Sequence, residues 1–219
     1  GSFFYNKAIY AHLIVADENL SPLASSADAL ASSYEYSADG KTLTFTLRDD
    51  AYWHDGEKIT PEDVKWSIEY STKTAVLNAV FKSTFLAIAG SDEGKADTFS
   101  GIAIDGNKIV ITFENVAPDA LLTFTQFAPL PKKYFDGIDP LKLQQAPFFQ
   151  KPVGSGPFYV DDVQLKNYTT LKAFDKYYNG VADFSIQLLP SAGDSDPNFV
   201  TRVKSGQMDF GYTKNVADV

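Results

Sequence analysis

Alternating apolar and polar positions predict three β-hairpins and two further strands along the chain. In the first hairpin, Leu43, Phe45 and Leu47 alternate with polar neighbours, so one face of the strand is buried and the other meets water. Asp39-Gly40 supplies the turn of this hairpin, because glycine accepts a positive φ. The predicted strands cover 33–37 and 42–48, 102–104 and 109–113, 156–165 and 169–174, 184–188, and 208–212.

Apolar residues at three- and four-residue spacing predict helices between the strands. The best-defined helix start is Thr60-Pro61-Glu62-Asp63, where threonine can cap the helix, proline suits its first position and two acids lie at the positive end of the dipole. The other predicted helices cover 3–15, 75–89, 118–126 and 196–205. Hairpins dominate and helices lie between them, which indicates an α+β fold, a mixed α/β arrangement with helices flanking a mixed β-sheet.

The acidic net charge of the chain argues against one class of partner. The chain has 219 residues with 28 acidic and 19 basic side chains, a formal net charge of −9 and a pI near 4.6. A basic surface that neutralises phosphates is therefore not expected, and neither is nucleic acid as a partner. The longest apolar run is the five-residue segment from Phe85 to Ala89, which is too short to span a bilayer.

Metal chemistry is restricted by composition as well. Cysteine is absent, which rules out disulfides, thiolate catalysis and cysteine-ligated zinc. His12 and His54 are the only histidines, so a site with several histidine ligands cannot form within the chain. We expect no metal ligand and no cofactor.

The candidate catalytic groups have structural interpretations. Adjacent strand residues point to opposite faces, so Asp49 and Asp50 cannot by themselves form the facing carboxylates of a glycoside hydrolase. Gly154-Ser155-Gly156 lacks the lysine of a phosphate-binding loop and the spacing of a nucleophile elbow, which favours a tight backbone crossing. His54 and Asp55 belong to a predicted turn. We expect no catalytic site among these groups, and a carboxylate-dependent hydrolase and a scaffold with exposed sheet edges stay open as alternatives.

Three blocks of residues, in a fixed order along nearly the whole chain from Phe3, resemble a known family. They are Ala29-Leu30-Ala31-Ser32-Ser33-Tyr34-Glu35-Tyr36 with Asp39-Gly40, Thr44-Phe45-Thr46-Leu47-Arg48, Trp53-His54-Asp55-Gly56 and Thr60-Pro61-Glu62-Asp63-Val64; Pro152-Val153-Gly154-Ser155-Gly156-Pro157-Phe158 with Tyr177-Tyr178-Asn179-Gly180; and Val203-Lys204-Ser205-Gly206-Gln207-Met208-Asp209-Phe210. Together these blocks resemble the extracellular solute-binding proteins of family 5. The members of that family are the dipeptide-, oligopeptide- and nickel-binding components of ABC importers.

The resemblance implies a lobe of the type II periplasmic-binding-protein fold. Family members are longer and begin with a strand before the helix predicted here from residue 3, so we expect an excised N-terminal lobe whose second lobe is absent. In this division, 3–58 and 152–219 form the larger, sheet-containing domain of the first lobe. The remaining segment, 59–151, forms a smaller inserted α+β subdomain.

The resemblance also implies a function, which is to bind a solute and hand it to the membrane permease of an ABC importer. Peptides are the favoured solute, and nickel chelates, opines and oligosaccharides are alternatives. Such a protein works outside the cytoplasm, either in the periplasm or lipid-anchored on the outer face of the cell membrane. Membrane association would occur only through a lipid anchor absent from this chain. Because the second lobe of relatives supplies charge partners for peptide termini, we expect this fragment to bind ligand weakly or not at all.

The candidate ligand-binding residues are assigned by position in the family and not by a residue-for-residue motif. Phe3 and Asn6 begin the first predicted helix, where relatives approach their cleft. Phe81 and Phe85 lie in the second predicted helical region, whose family counterpart places aromatic rings over the ligand. Gln126 ends a predicted helix near the rim of the cleft in relatives.

Overall fold

Two units are formed by different parts of the chain in the computed structural model, which describes residues 7–75, 79–164, 168–189, 199–204 and 207–213. The terminal unit comprises Gly1–Ala11, Tyr52–Glu57 and Pro147–Val219. The central unit comprises His12–Ala51 and Lys58–Ala146. The domain division expected from the sequence, with 59–151 as an inserted subdomain, stays a prediction.

The central unit is built on a four-stranded antiparallel sheet in the order β1-β2-β4-β3. Its core-facing positions are those that alternation predicts, because Leu43, Phe45 and Leu47 are each at most 2% exposed. Phe45 pairs with Tyr34 on one side and with Ile109 on the other. The first two predicted hairpins are thereby confirmed. The strands are β1 (Ala31–Tyr36), β2 (Thr42–Leu47), β3 (Ile102–Asp105) and β4 (Lys108–Thr112).

Helices and 3₁₀ turns complete the central unit. The predicted helix start at Thr60 is confirmed, with a capping box in which the Thr60 side chain accepts from the Asp63 backbone N–H and the Asp63 carboxylate accepts from the Thr60 backbone N–H. The helices are α1 (Pro61–Ser71), α2 (Ala79–Leu86) and α3 (Ala120–Phe124), and the 3₁₀ turns are Lys132–Phe135 and Pro140–Gln145.

The helix predicted over 75–89 is shorter in the structure because its last residues pair with a strand. α2 ends at Leu86, after which Ile88 forms a β-bridge with Phe113. The Ala89 backbone N–H also donates to the Thr112 carbonyl at 2.9 Å. These tertiary hydrogen bonds replace the intrahelical hydrogen bonds that a longer helix would make.

The helix predicted over 3–15 is wrong beyond residue 9. Among the described residues only 7–9 are helical, and 10–15 are not. Leu13 donates its backbone N–H to the Phe127 carbonyl, and its own carbonyl accepts from Ala31, each at 2.9 Å. Leu13 and Ile14 are both buried, so this non-helical segment belongs to the core and is held by hydrogen bonds to distant parts of the chain. A short apolar run of this kind has the same sequence signature as a buried helix.

The terminal unit is a five-stranded antiparallel sheet in the order β5-β6-β7-β8-β9. The third predicted hairpin and the strands predicted over 184–188 and 208–212 are confirmed, although the turn residues 165–167 lie outside the described part. Its core contains Ala8, Ile9, Phe158, Val160, Leu171, Ile186 and Leu188. The strands are β5 (Phe158–Gln164), β6 (Tyr168–Ala173), β7 (Phe184–Leu189), β8 (Phe199–Lys204) and β9 (Gln207–Thr213), and a 3₁₀ turn covers Pro147–Gln150.

The helix predicted over 196–205 is wrong for its described residues. The structure has the strand β8 there, paired antiparallel with β7 from Phe184↔Lys204 to Leu189↔Phe199. Three of the six residues of β8, Val200, Thr201 and Val203, are β-branched, which suits a strand. Antiparallel sheets with helices between their strands confirm the α+β fold class.

Candidate functional site

The candidate residue Phe85 lies in an aromatic cluster of the central unit. Its ring centroid is 5.8 Å from that of Phe124 and 5.6 Å from that of Phe127, the latter in an edge-on arrangement. Phe124 in turn packs edge-on against Phe45 of the sheet at 4.9 Å. Phe85 is fully buried, so its ring has no surface to offer to a ligand in this structure and serves the core.

Phe81 lies one helical turn before Phe85 on α2, with the two ring centroids 5.8 Å apart. Residues four apart share a helix face, which is why both rings belong to the same cluster. Phe81 is half-buried. Gln126 is exposed just after α3, next in sequence to Phe127, whose ring packs on Phe85. Phe81 contacts Phe85 directly, whereas Gln126 is linked to the cluster only as the sequence neighbour of Phe127.

Polar contacts fix α3 and the residues after it. The Thr84 and Thr123 hydroxyl oxygens are 2.6 Å apart, which joins α2 to α3. The His12 Nδ1 lies 2.8 Å from the Thr125 carbonyl oxygen and donates to it, one residue before Gln126. Sequence analysis did not identify the side chains of Thr84, Thr123 and His12 as contributors to this region. No local motif links residues so distant in the chain.

Two of the five candidate residues, Phe3 and Asn6, lie outside the described residues. The structure brings together Phe81 and Phe85 through direct ring contact, and Gln126 directly precedes Phe127 of that cluster in the sequence. These residues provide a half-buried aromatic side chain and an exposed carboxamide. Side chains of these two kinds can bind a ligand by stacking and by hydrogen bonds.

His54 belongs to a tight crossing in the terminal unit. The Gly154 N–H donates to its Nδ1 at 3.1 Å, and its Nε2 lies 3.0 Å from the Gly156 carbonyl, to which it donates. The His54 backbone N–H also donates to the Gly154 carbonyl at 2.9 Å. Burial lowers the pKa of His54 to about 4, and the ring packs edge-on against Phe174 at 4.8 Å. His54 is therefore a neutral structural side chain at pH 7, as its turn predicted.

Asp49 and Asp50, the two acids considered in the sequence, do not form a catalytic pair in the structure. Asp49 and Asp50 are both exposed, and the Arg48 Nε lies 2.7 Å from the Asp50 Oδ1. This hydrogen bond lowers the pKa of Asp50, which is the opposite of what a general acid needs. The buried carboxyl of Glu69 has a raised pKa because of desolvation, and it accepts the backbone N–H of Phe99, which ties a loop to α1.

Neither a metal site nor a membrane span is found in the described ranges. Among these residues, no group of three or more His, Asp or Glu side chains could hold a metal ion. Within the same part of the chain, no helix has both the length and the apolar character needed to cross a bilayer.

Comparison with solved structures defines the class of fold. NikZ from Campylobacter jejuni, in complex with Ni(L-His), matches with a TM-score of 0.59 at 26% identity, covering 78% of this chain and 31% of that chain. MoaA from A. tumefaciens R10, in complex with mannopinic acid, matches with a TM-score of 0.61 at 26% identity, covering 82% and 34%. The fold is that of the type II periplasmic binding proteins.

Comparison of sequences then places the chain in one family. The sequence model for bacterial extracellular solute-binding proteins, family 5 middle region, matches residues 27–215, and the chain belongs to this family. A curated relative from Brucella ovis, named as a peptide-binding protein of an ABC transporter, is 27% identical over 214 residues. That match covers 97% of this chain and 37% of the relative, so the chain spans little more than a third of the relative's length.

Proposed function

We propose that this chain carries part of the ligand-binding apparatus of an ABC importer, with peptides as the favoured solute. The family match over residues 27–215 is the observation that carries the proposal. The relative from Brucella ovis supports the choice of solute, since its name describes a peptide-binding protein. The activity is binding and not catalysis.

Phe81 and Gln126 are the proposed contact residues in the central unit. A half-buried aromatic side chain suits apolar ligand side chains, and an exposed carboxamide can both donate to and accept from a peptide backbone. Phe85 contributes indirectly, because its buried ring packs against the ring of Phe81 and helps to position that side chain. Phe3 and Asn6 stay predictions.

Nickel chelates and opines form the second candidate class of solute. The similarity to NikZ with bound Ni(L-His) and to MoaA with bound mannopinic acid favours them. Oligosaccharides are a further alternative from the resemblance alone. Binding proteins of this family work outside the cytoplasm, so we propose an extracytoplasmic location, a permease as the membrane partner and a lipid anchor as the means of any membrane attachment.

Solute binding to this chain is best tested by nuclear magnetic resonance, because this method detects weak binding at millimolar concentrations of ligand. Tripeptides and longer peptides should shift backbone amide signals around Phe81 and Gln126 in the ¹⁵N-labelled chain. Nickel–histidine, mannopinic acid and an oligosaccharide are titrated in parallel. Localised shifts with one of these and none with peptides would replace peptide as the solute, and peptide-induced shifts localised away from Phe81 and Gln126 would contradict the placement of the site.

Side-chain variants test whether Phe81 and Gln126 contact the peptide. Phe81→Ala and Gln126→Ala should each weaken peptide binding about tenfold, the usual loss for a contact residue worth somewhat over 1 kcal/mol. Leu122→Ala is the matched control, since Leu122 lies on α3 and is 46% exposed but has no proposed contact. Circular dichroism verifies that each variant is folded. Equal losses in all three variants would contradict specific roles for Phe81 and Gln126.

A further inference from the structure

A tight exposed turn lies in the central unit at residues 17–21. A β-bridge between Ala16 and Pro22 closes its base, and the Asp17 N–H donates to the Ser21 carbonyl at 2.8 Å. The Asp17 carboxylate then accepts the backbone N–H groups of both Asn19 and Ser21, each at 2.9 Å. These bonds hold the tip in one conformation, with Asn19 and Leu20 at the apex.

The side chains at this tip face solvent. Asn19 and Ser21 are exposed, and Leu20 is 72% exposed with a φ of +63°. In the part of the chain that the structure describes, neither the Asn19 carboxamide nor the Ser21 hydroxyl has a hydrogen-bond partner. Both groups are therefore available to an enzyme that approaches the turn. Asn107 differs, since its Nδ2 donates to the Leu47 carbonyl at 3.1 Å.

Asn19-Leu20-Ser21 has the pattern of an N-glycosylation acceptor, an asparagine followed by any residue except proline and then by a hydroxyl residue. Such acceptors function on surface turns of exported proteins. We propose that Asn19 is an N-glycosylation site, with Ser21 as the recognition hydroxyl and Asp17 as the residue that holds the turn. The proposal rests on the extracytoplasmic location in the proposed function.

The reaction needs a polyprenyl-diphosphate-linked oligosaccharide as co-substrate and an oligosaccharyltransferase as catalyst. The Asn19 Nδ2 attacks C1 of the first sugar, a C–N bond forms, and the bond from C1 to the diphosphate oxygen breaks. Polyprenyl diphosphate leaves, and one Nδ2 proton passes to a base. No oxidation or reduction occurs. The attached sugar would lie beside Leu20 and cover apolar surface that the fold leaves in water.

A second sequence of this type, Asn167-Tyr168-Thr169, begins at a residue outside the described part. The proposal is therefore confined to Asn19. The two sites are separable by mass spectrometry, because Asn19 is the only asparagine in the tryptic peptide from Ala8 to Lys41.

The test uses the protein purified from the extracytoplasmic fraction of its native cells. The peptide from Ala8 to Lys41 should gain the mass of an oligosaccharide, and fragment ions should place that mass on Asn19. Recovery of this peptide only at its unmodified mass would overturn the glycosylation site and leave solute binding unaffected. Recovery of the protein from the cytoplasm alone would contradict the proposed function and this site together.

Variants expressed in the same cells test the recognition pattern. Asn19→Gln and Ser21→Ala should each abolish the added mass, whereas Ser21→Thr should retain it because threonine supplies the same hydroxyl. Ser25→Ala is the matched control, since Ser25 is another exposed serine of the central unit outside the pattern. Modification that persists in Ser21→Ala would show that the acceptor pattern is not what the transferase reads.

Discussion

At the scale of single residues, burial and hydrogen bonding decide whether His54 and Asp50 are charged at neutral pH. His54 is enclosed by Gly154, Gly156 and Phe174, and its depressed pKa keeps it neutral. Asp50 is exposed beside Arg48, and its lowered pKa keeps it charged. Acid destabilises the fold at both groups, but for different reasons: protonation of His54 inserts a charge into a packed crossing, whereas protonation of Asp50 breaks a surface ion pair.

We predict that His54 makes the protein acid-sensitive. In the unfolded state the imidazole takes up a proton near its ordinary pKa of 6.5, but in the folded state it resists protonation until about pH 4. The contribution of His54 to the free energy of unfolding is therefore fully present above pH 6.5. It declines as the pH falls toward 4, by about 3 kcal/mol in total. Urea unfolding at several pH values between 7 and 4 measures this decline.

The His54→Gln variant isolates the contribution of the imidazole. It should be less stable than the wild type at pH 7, because it cannot reproduce both hydrogen bonds, but its stability should fall less steeply with acid. Carboxyl groups titrate in both proteins, and the difference between the two curves removes their contribution. Parallel curves would refute the assignment of the acid sensitivity to His54.

Gly154 is the position where we predict the largest cost of adding a single methyl group. A Cβ there would lie 2.0 Å from the Ile9 carbonyl oxygen, which is backbone and cannot move aside cheaply. Gly154→Ala should cost about 3 kcal/mol of unfolding free energy, at the upper end of overpacking effects. Gly106→Ala is the control, since its φ is +60° but its Cβ meets open space, and backbone strain alone costs about 1 kcal/mol. Equal costs in urea unfolding would show that the crossing is looser than the structure indicates.

The roles of the candidate site residues could be predicted only in part. The four-residue spacing of Phe81 and Phe85 indicates a shared helix face, and the structure shows their rings in contact. Which ring is buried depends on Phe124 and Phe127, about forty residues away along the chain. Local spacing contains no information about that packing, which is why Phe85 could be assigned to a ligand surface although it belongs to the core.

At the scale of elements, the helix start at Thr60 shows what local chemistry can specify by itself. Thr60 and Asp63 satisfy each other's backbone N–H groups within four residues of sequence, and no distant partner is required. Thr60→Ala should therefore destabilise the protein by about 1 kcal/mol. Thr60→Ser keeps the capping oxygen and should restore most of that loss in urea unfolding. A serine variant as unstable as the alanine variant would indicate that packing of the threonine methyl group, and not the cap, is responsible.

The sequence did not predict the backbone conformation of elements that are held by distant partners. The hairpins were predictable because both strands and the turn lie within a few residues of each other. The segment 10–15 and the strand β8 have apolar spacing compatible with either helix or strand. Their conformation is decided by pairing, with Phe127 and Ala31 for Leu13 and with β7 for β8. A pattern of apolar residues predicts burial, and only the partner decides the backbone conformation.

At the scale of the whole molecule, the net charge of −9 is the property that governs which partners can approach. We predict no binding of single- or double-stranded nucleic acid, because phosphates and this surface repel each other. Fluorescence anisotropy of a labelled oligonucleotide should stay constant at protein concentrations up to about 100 μM, where nonspecific binders are already bound. Lowering the salt should leave this result unchanged, since weaker screening strengthens repulsion as much as attraction. Binding that appears as salt is lowered would reveal a local basic surface despite the overall charge, and would make a nucleic-acid partner a serious alternative to a solute.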